Sequence, residues 1–372
     1  MRWRAVLLLL LPGCTQAPAP PAAPLGLPAL EVPADNPVTP QKAALGRKLF
    51  FDRRLSPNGT MSCAMCHVPE QGFTAHELAT SVGIEGRSVR RNAPTVLNVA
   101  WQKRLFHDGR EFSLENQVWG PLLAPNEMGN PSLGFVIERV RGLEDYRGLF
   151  EAAFDGRGAS AERIGQALAS YERTLAAAGS RFDRWRYGGE AAALSETEQL
   201  GFRIFTGKAR CAACHIVGER DALFTDHGFH NTGIGWQRAF DSPERIRVEL
   251  APGVHAELER KTLESFSEPP PKDTGRYEIT RDPRDRWAYK TPSLRNVALT
   301  SPYMHDGSLP TLEAVIGFYD RGGIDNPEKS PLLAPLGLSA QERDALLAFL
   351  RSLTGSGVEA LIAEARAAPL GQ

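Results

Sequence analysis

The stretches Cys63-Ala64-Met65-Cys66-His67 and Cys211-Ala212-Ala213-Cys214-His215 decide the reading of this 372-residue chain. Each is C-x-x-C-H, the attachment pattern of haem c. Two thiols three positions apart reach the two vinyl groups on one edge of a porphyrin, and the next histidine falls beneath the iron as proximal ligand. By composition, one such motif arises by chance in about one chain per thousand, so two settle the matter. A zinc site made of two C-x-x-C units leaves the histidine after each second cysteine without a place. Disulfides between cysteines this close are confined to redox-active loops. The sequence therefore predicts two covalent haems c, one on Cys63, Cys66 and His67, the other on Cys211, Cys214 and His215, with His67 and His215 as iron ligands.

The motifs lie 148 residues apart, each near the start of its own half. Before the first, Pro40 to Phe50 carries apolar residues at helical spacing, with Thr39 as N-cap. Before the second, Ser195 and Glu198 form a capping box. Further helices are predicted over 145–154, 160–177, 311–320 and 340–353, the last capped by Ser339 with Glu342. Strand-like alternation is scarce, and 252–274, with Pro269-Pro270-Pro271, reads as a long surface loop. Each half thus offers helix, haem loop and more helices. The expected fold is all-α: two cytochrome c-like domains at 38–189 and 190–372, divided near Gly188-Gly189 and carrying one haem c each.

The amino terminus is of another kind. Arg2 and Arg4 precede the apolar run Ala5–Leu11 and then Pro12-Gly13-Cys14, which reads as an export signal over 1–13. Cys14 after Gly13 resembles a lipobox cysteine, so lipidation there is expected. Losing the two arginines of 1–13 takes the net charge from −1 to −3. Residues 14–37, with Pro18, Pro20, Pro21 and Pro24, read as an Ala/Pro-rich tether that buries little. The expected location is periplasmic, with membrane contact only through the lipid. No run of eighteen apolar residues occurs, and a net charge near zero gives no basic surplus for nucleic acid.

Two haems alone make an electron carrier; an enzyme needs one open iron and an acid–base group beside it. Candidates follow the first haem motif: His107-Asp108-Gly109-Arg110, Gln117, Pro121 and Glu127-Met128. Together with Gly46-Arg47-Lys48-Leu49-Phe50, Arg91-Asn92-Ala93-Pro94-Thr95, Lys290-Thr291-Pro292-Ser293-Leu294-Arg295-Asn296 and Pro302-Tyr303-Met304-His305-Asp306-Gly307, they give the chain after residue 38 a resemblance to the bacterial di-haem cytochrome c peroxidase and MauG family.

The resemblance implies a peroxidatic haem on His67, with Glu127 and Gln117 in its distal pocket. Bound peroxide must move a proton from its inner to its outer oxygen before the O–O bond breaks; a carboxylate can carry it, and an amide can orient the peroxide. The haem on His215 is implied to be six-coordinate and to store an electron. Its second ligand position falls seventeen residues after Pro302, at Tyr319, where classical peroxidases have methionine and MauG has tyrosine. Met304 is the alternative ligand. Phenolate lowers an iron potential and thioether raises it. Asn92, Thr300 and Pro302 match the family's calcium ligands, oxygen donors suited to that ion; local turn bonding is the other reading of these residues.

Two departures from the family pattern stand out. His107 occupies the place of a tryptophan between the haems, which weakens the case for fast hopping and for a shared high-valent state. The removable distal histidine of classical members has no counterpart in 80–92; the nearest, His76, reads as a surface residue, so the first haem is expected to be five-coordinate and active without prior reduction. The implied activity is reduction of hydrogen peroxide with electrons from a small c-type cytochrome or cupredoxin, and a homodimer is compatible with it. The rivals are MauG-like oxidation of a partner protein's side chains and a non-catalytic di-haem carrier.

Overall fold

The computed structural model describes residues 23–240, 244–251, 254–259, 261–262 and 272–368. The expected export signal and Cys14 lie outside the described residues.

Each half is organised around one helix crossing. In the first, the Pro40–Phe51 helix packs on the Ala161–Glu172 helix. The former begins where sequence signals start it: Thr39 accepts the Lys42 amide at 3.2 Å, and Pro40, lacking an N–H, occupies the first turn. In the second half, the Glu196–Thr206 helix packs on the Ala340–Arg351 helix, and both start with full capping boxes, Ser195 with Glu198 and Ser339 with Glu342. The two crossings share their chemistry. A Cβ at Gly46 would run into the Ala167 carbonyl and the Tyr171 side chain; a Cβ at Gly201 would meet the Ala345 carbonyl and the Phe349 side chain. Aromatic rings close both contacts, Phe50 on Tyr171 with centroids 5.3 Å apart and Phe205 on Phe349 at 5.1 Å.

The loops after the haem motifs are also duplicated, now at an offset of 198 residues. Asn98 and Asn296 both take left-handed backbone, at φ 57° and 62°, a conformation asparagine tolerates better than other side-chain-bearing residues. Asn98 N–H donates to the Leu175 carbonyl at 2.9 Å, and Asn296 N–H to the Leu353 carbonyl at 3.1 Å. Each side-chain oxygen then accepts the amide two residues further on, Ala177 at 2.7 Å and Gly355 at 2.8 Å. The same residue type thus ties each loop to the end of its half's packing helix.

Among the described residues two large apolar cores result, with a small satellite of Leu105, Leu114 and Ala169. One gathers buried residues from Leu45 to Ala177 together with Val358, Ala365 and Ala368 of the last helix, Val358–Arg366; the other runs from Phe182 to Leu353. The halves join through reciprocal backbone bonds: Asn92 N–H donates to the His305 carbonyl, and Lys290 N–H, 198 residues after Asn92, donates to the His107 carbonyl, each at 2.8 Å.

Several expectations need correction. Helices predominate, but the described residues also form two antiparallel ribbons, Phe229–His230 with Tyr289–Lys290 and Arg245–Ala251 with Val254–Glu259. The second occupies part of the supposed loop over 252–274; Ile246, Val248 and Leu250, then Val254, Ala256 and Leu258, alternate at the period of a strand around Pro252-Gly253. Residues 263–271 of that stretch are outside the description. The helix expected over 145–154 is a 3-10 turn, Glu144–Tyr146, and a separate Leu149–Ala153 helix, broken at Gly148. The described part of the supposed tether, 23–37, is fastened to the body rather than free. Leu27 and Asn36 are buried, the Pro28 carbonyl accepts Trp101 Nε1 at 3.0 Å, and Gly26 O accepts from Ala222 N at 3.0 Å and from Arg295. Arg295 in turn forms a buried pair with Asp183 at 2.9 Å. A proline-rich strand leaves its carbonyls unpaired, and these are what the body grips. No helix among the described residues is long and apolar enough to cross a membrane.

The glycine crossings can be tested directly. Gly201→Val should destabilise the haem-loaded protein by about 1–3 kcal/mol, because overpacking against a backbone carbonyl outweighs the gain of about 0.5–1 kcal/mol from removing a helical glycine. Gly134→Ala, at an exposed helical site with nothing but Ser132 Oγ near, should be neutral or stabilising. Urea unfolding of both variants checks the opposite signs.

Candidate haem sites

The two C-x-x-C-H segments have one geometry. Cys63–Met65 and Cys211–Ala213 each form a single 3-10 turn. His67 N–H donates to the Cys63 carbonyl at 3.0 Å, and His215 N–H to the Cys211 carbonyl at 2.9 Å. The turn puts both thiols and the imidazole at one place. None of the four cysteines is in a disulfide. Burial pushes the thiol of Cys63 up to about 12, Cys66 to about 11 and Cys211 to about 12. Neutral thiols are poor redox nucleophiles and suit addition of S–H across a vinyl group.

The imidazoles are held in the orientation that iron needs. His67 Nδ1 donates to the Phe73 carbonyl at 3.2 Å and His215 Nδ1 to the Phe224 carbonyl at 2.8 Å. Each Nε2 keeps its lone pair, and burial holds both rings below their ordinary pKa, hence neutral. Phe50 and Phe205, from the two crossing helices, stand 6.4 and 6.5 Å from these rings. Two thiols and one tautomer-fixed imidazole at each site fit a covalent haem c.

Beyond the proximal side the sites diverge. Beside the first lies Glu127, in the loop after the Trp119–Leu123 helix. Its backbone is fixed by donation to the Ala124 carbonyl at 3.0 Å and by acceptance from Ile84 N at 2.7 Å. The carboxyl makes no hydrogen bond among the described residues. Burial raises its pKa, and Arg110 opposes the rise. Its charge acts on both Cys63 and Cys66, which places it near the first C-x-x-C-H turn. Gln117 ends the short Leu114–Gln117 helix, half-buried, and no hydrogen bond joins it to Glu127. A second carboxyl, Glu172, sits in the wall near Cys63, 5% exposed with Oε2 unpartnered; burial pushes it up to about 8. Nothing in the local sequence marks it.

Beside the second site lies Tyr319 of the Leu312–Asp320 helix. Burial raises its hydroxyl pKa, and Cys211 and Cys214 raise it further, so the ring stands at the second haem loop; the hydroxyl makes no hydrogen bond among the described residues. Met304, the alternative ligand, occupies a left-handed position at φ 75° between Tyr303 and His305. The ligand atoms of Cys214, Asp226 and His230 gather within 4.8 Å.

His107 is not at Glu127 but at the junction of the halves. Its Nε2 donates to the Asn92 carbonyl at 2.9 Å, and burial pushes it down to about 3, so the ring is neutral. His305, to which the sequence assigned no site role, is 7% exposed and lies flat against Tyr289. The signal was present as a repeat, since Phe106-His107-Asp108-Gly109 and Met304-His305-Asp306-Gly307 are 198 residues apart. Asn92 spends Nδ2 on the Ala79 carbonyl at 2.9 Å, which leaves Oδ1 for a cation. Thr300 Oγ1 donates to the Val297 carbonyl at 3.2 Å, and Pro302 follows across a cis peptide. His76 is exposed, with Nε2 at 2.7 Å from the Leu299 carbonyl.

A family model described as di-haem cytochrome c peroxidase matches residues 40–192. Methylamine utilization protein MauG of Methylorubrum extorquens is 39% identical over 322 residues, covering 86% of this chain and 80% of that protein. Cytochrome-c peroxidase IdrP1 of Denitromonas iodatirespirans is 38% identical over 356 residues, covering 92% and 90%. A crystal structure of a MauG-like protein associated with microbial copper homeostasis superposes with a TM-score of 0.73 at 35% identity, covering 90% of this chain and 95% of the other. The duplicated haem loops and this similarity along the chain lead to one conclusion: the chain belongs to the di-haem cytochrome c peroxidase family, which includes MauG-like members.

Proposed function

We propose that this chain reduces hydrogen peroxide to water at the His67 site, with Glu127 as the proton carrier. The observation that supports this reading is a half-buried carboxyl that makes no hydrogen bond among the described residues and lies close enough to act on both cysteines of the first haem loop. Haem c on His67 supplies an iron that binds peroxide and takes up its oxidising equivalents. Ionised Glu127 accepts the proton of the inner peroxide oxygen and returns it to the outer one, which leaves as water. Its raised pKa makes it a stronger base than an exposed glutamate, and Arg110 keeps it ionisable. The Gln117 amide orients the peroxide, and His107 holds the loop in between to Asn92.

Tyr319 is proposed as second ligand of the haem on His215, with Asn92, Thr300 and Pro302 as calcium ligands between the halves. The electron donor is a small c-type cytochrome or cupredoxin in the periplasm, with the chain exported through residues 1–13 and anchored by Cys14. Tyr319 also favours a second reading, MauG-like oxidation of side chains in a partner protein, because an anionic oxygen ligand stabilises oxidised iron.

Glu127→Gln should lower peroxide turnover with reduced cytochrome c by about a hundredfold or more while both haem spectra persist; an unchanged rate rejects the assignment. Because Glu127 works ionised and its pKa is raised, wild-type turnover should fall with decreasing pH through a limb above the 4.5 of an ordinary glutamate, and Glu127→Gln should abolish that limb. Tyr319→Met should raise the potential of the second haem by on the order of 100 mV in a potentiometric titration; no shift would hand the ligand role to Met304.

A further inference from the structure

The junction between the halves is built from two copies of one loop. Leu105 bridges to Glu111 in the first and Tyr303 to Leu309 in the second, which sets His107 and His305 in equivalent places. Their backbones are joined by the reciprocal bonds to Lys290 and Asn92, and the rings are close enough for a charge on His305 to disfavour one on His107. Neither imidazole is readily oxidised. The residue next to them is: the ring of Tyr289 lies on His305 with centroids 3.5 Å apart and planes 13° from parallel. Tyr289 is 8% exposed; among the described residues its hydroxyl makes no hydrogen bond of full geometry, but it faces the Asp273 carboxylate closely enough to interact with it. The phenol is therefore kept from water, with the Arg91 guanidinium 5.5 Å from its ring centroid.

The surroundings of Tyr289 reach both haem sites. Its partner across the short ribbon is His230, which gathers with Asp226 and Cys214 at the second haem loop. Lys290, the next residue, donates to the His107 carbonyl; His107 Nε2 donates to Asn92, two residues before Pro94, whose carbonyl borders the His67 ring. We propose that Tyr289, stacked on His305, is the one-electron relay between the two haem sites. The proposal rests on the peroxidase reading above.

The step balances as follows. Hydrogen peroxide is the oxidant, and with two electrons and two protons it gives two waters. In one pass Tyr289 gives an electron toward the His67 site and its phenolic proton to Asp273, and it regains an electron from the His215 site and that proton from Asp273. The external donor then refills the second site. Asp273 is the charged group acting most strongly on the hydroxyl. Arg91 holds its carboxylate ionised, through Nε at 2.7 Å and Nη2 at 2.8 Å. A phenol that has lost an electron is a far stronger acid than a carboxylic acid, so the transfer runs downhill.

The test uses the haem-loaded protein with the second haem reduced, mixed rapidly with hydrogen peroxide while the band of that reduced haem is followed. Tyr289→Phe should slow its oxidation by about tenfold or more, Tyr289→Trp should restore the rate, and Trp287→Phe should leave it unchanged. Freeze-quenched paramagnetic resonance should show a radical that narrows when the protein carries ring-deuterated tyrosine and disappears in Tyr289→Phe. An unaltered rate in Tyr289→Phe, a radical indifferent to tyrosine deuteration, or slowing by Trp287→Phe would overturn the relay. A wild-type second haem that peroxide never oxidises would overturn the peroxidase reading and the relay with it.

Discussion

The structure depends on one constraint: a five-residue turn must offer two thiols and a correctly oriented imidazole to the same edge of a macrocycle. The donation from imidazole Nδ1 to a backbone carbonyl, Phe73 in one half and Phe224 in the other, meets the orientational part of it. That bond fixes the tautomer, keeps the ring from rotating and leaves Nε2 as the ligand atom. The carbonyl must then be held as firmly as the ring. The left-handed asparagines, the helix crossings at Gly46 and Gly201 and the aromatic pairs over them all serve to hold it.

Duplication explains why so much is shared, and the differences show where function was added. Proximal turns, crossings and asparagine ties repeat the same contacts in both halves. The residues that face the haem loops from the other side do not: a desolvated carboxyl at one, a phenol at the other. In the proposed function the carboxyl handles protons and the phenol donates an oxygen to iron. On that reading one scaffold used twice presents two different chemistries, and the reciprocal bonds of Asn92 and Lys290 join the two halves.

What could be read from the sequence was local. A C-x-x-C-H turn, a serine three residues before a glutamate and a proline in a first turn act over a few residues, and the helices they announce are in place. The rest failed where partners are distant. The return of the Val358–Arg366 helix to the first core, the grip on residues 23–37 and the burial of Glu172 arise from contacts between residues far apart in the chain, 73 apart for Pro28 and Trp101 and 269 for Gly26 and Arg295. The ribbon of Arg245–Ala251 with Val254–Glu259 was missed because the stretch from Pro252 onward read as loop, and the alternation on either side of it went unused. His305 looked like any other histidine until the 198-residue repeat gave it a counterpart.

The central claim is that one iron keeps an open position beside Glu127 while the other is closed by a side chain of the second half. Electron paramagnetic resonance of the fully oxidised, haem-loaded protein reads this directly. The account predicts one high-spin and one low-spin ferric signal of equal weight. Two low-spin signals that persist when peroxide is added would mean that both irons are capped, and would contradict it.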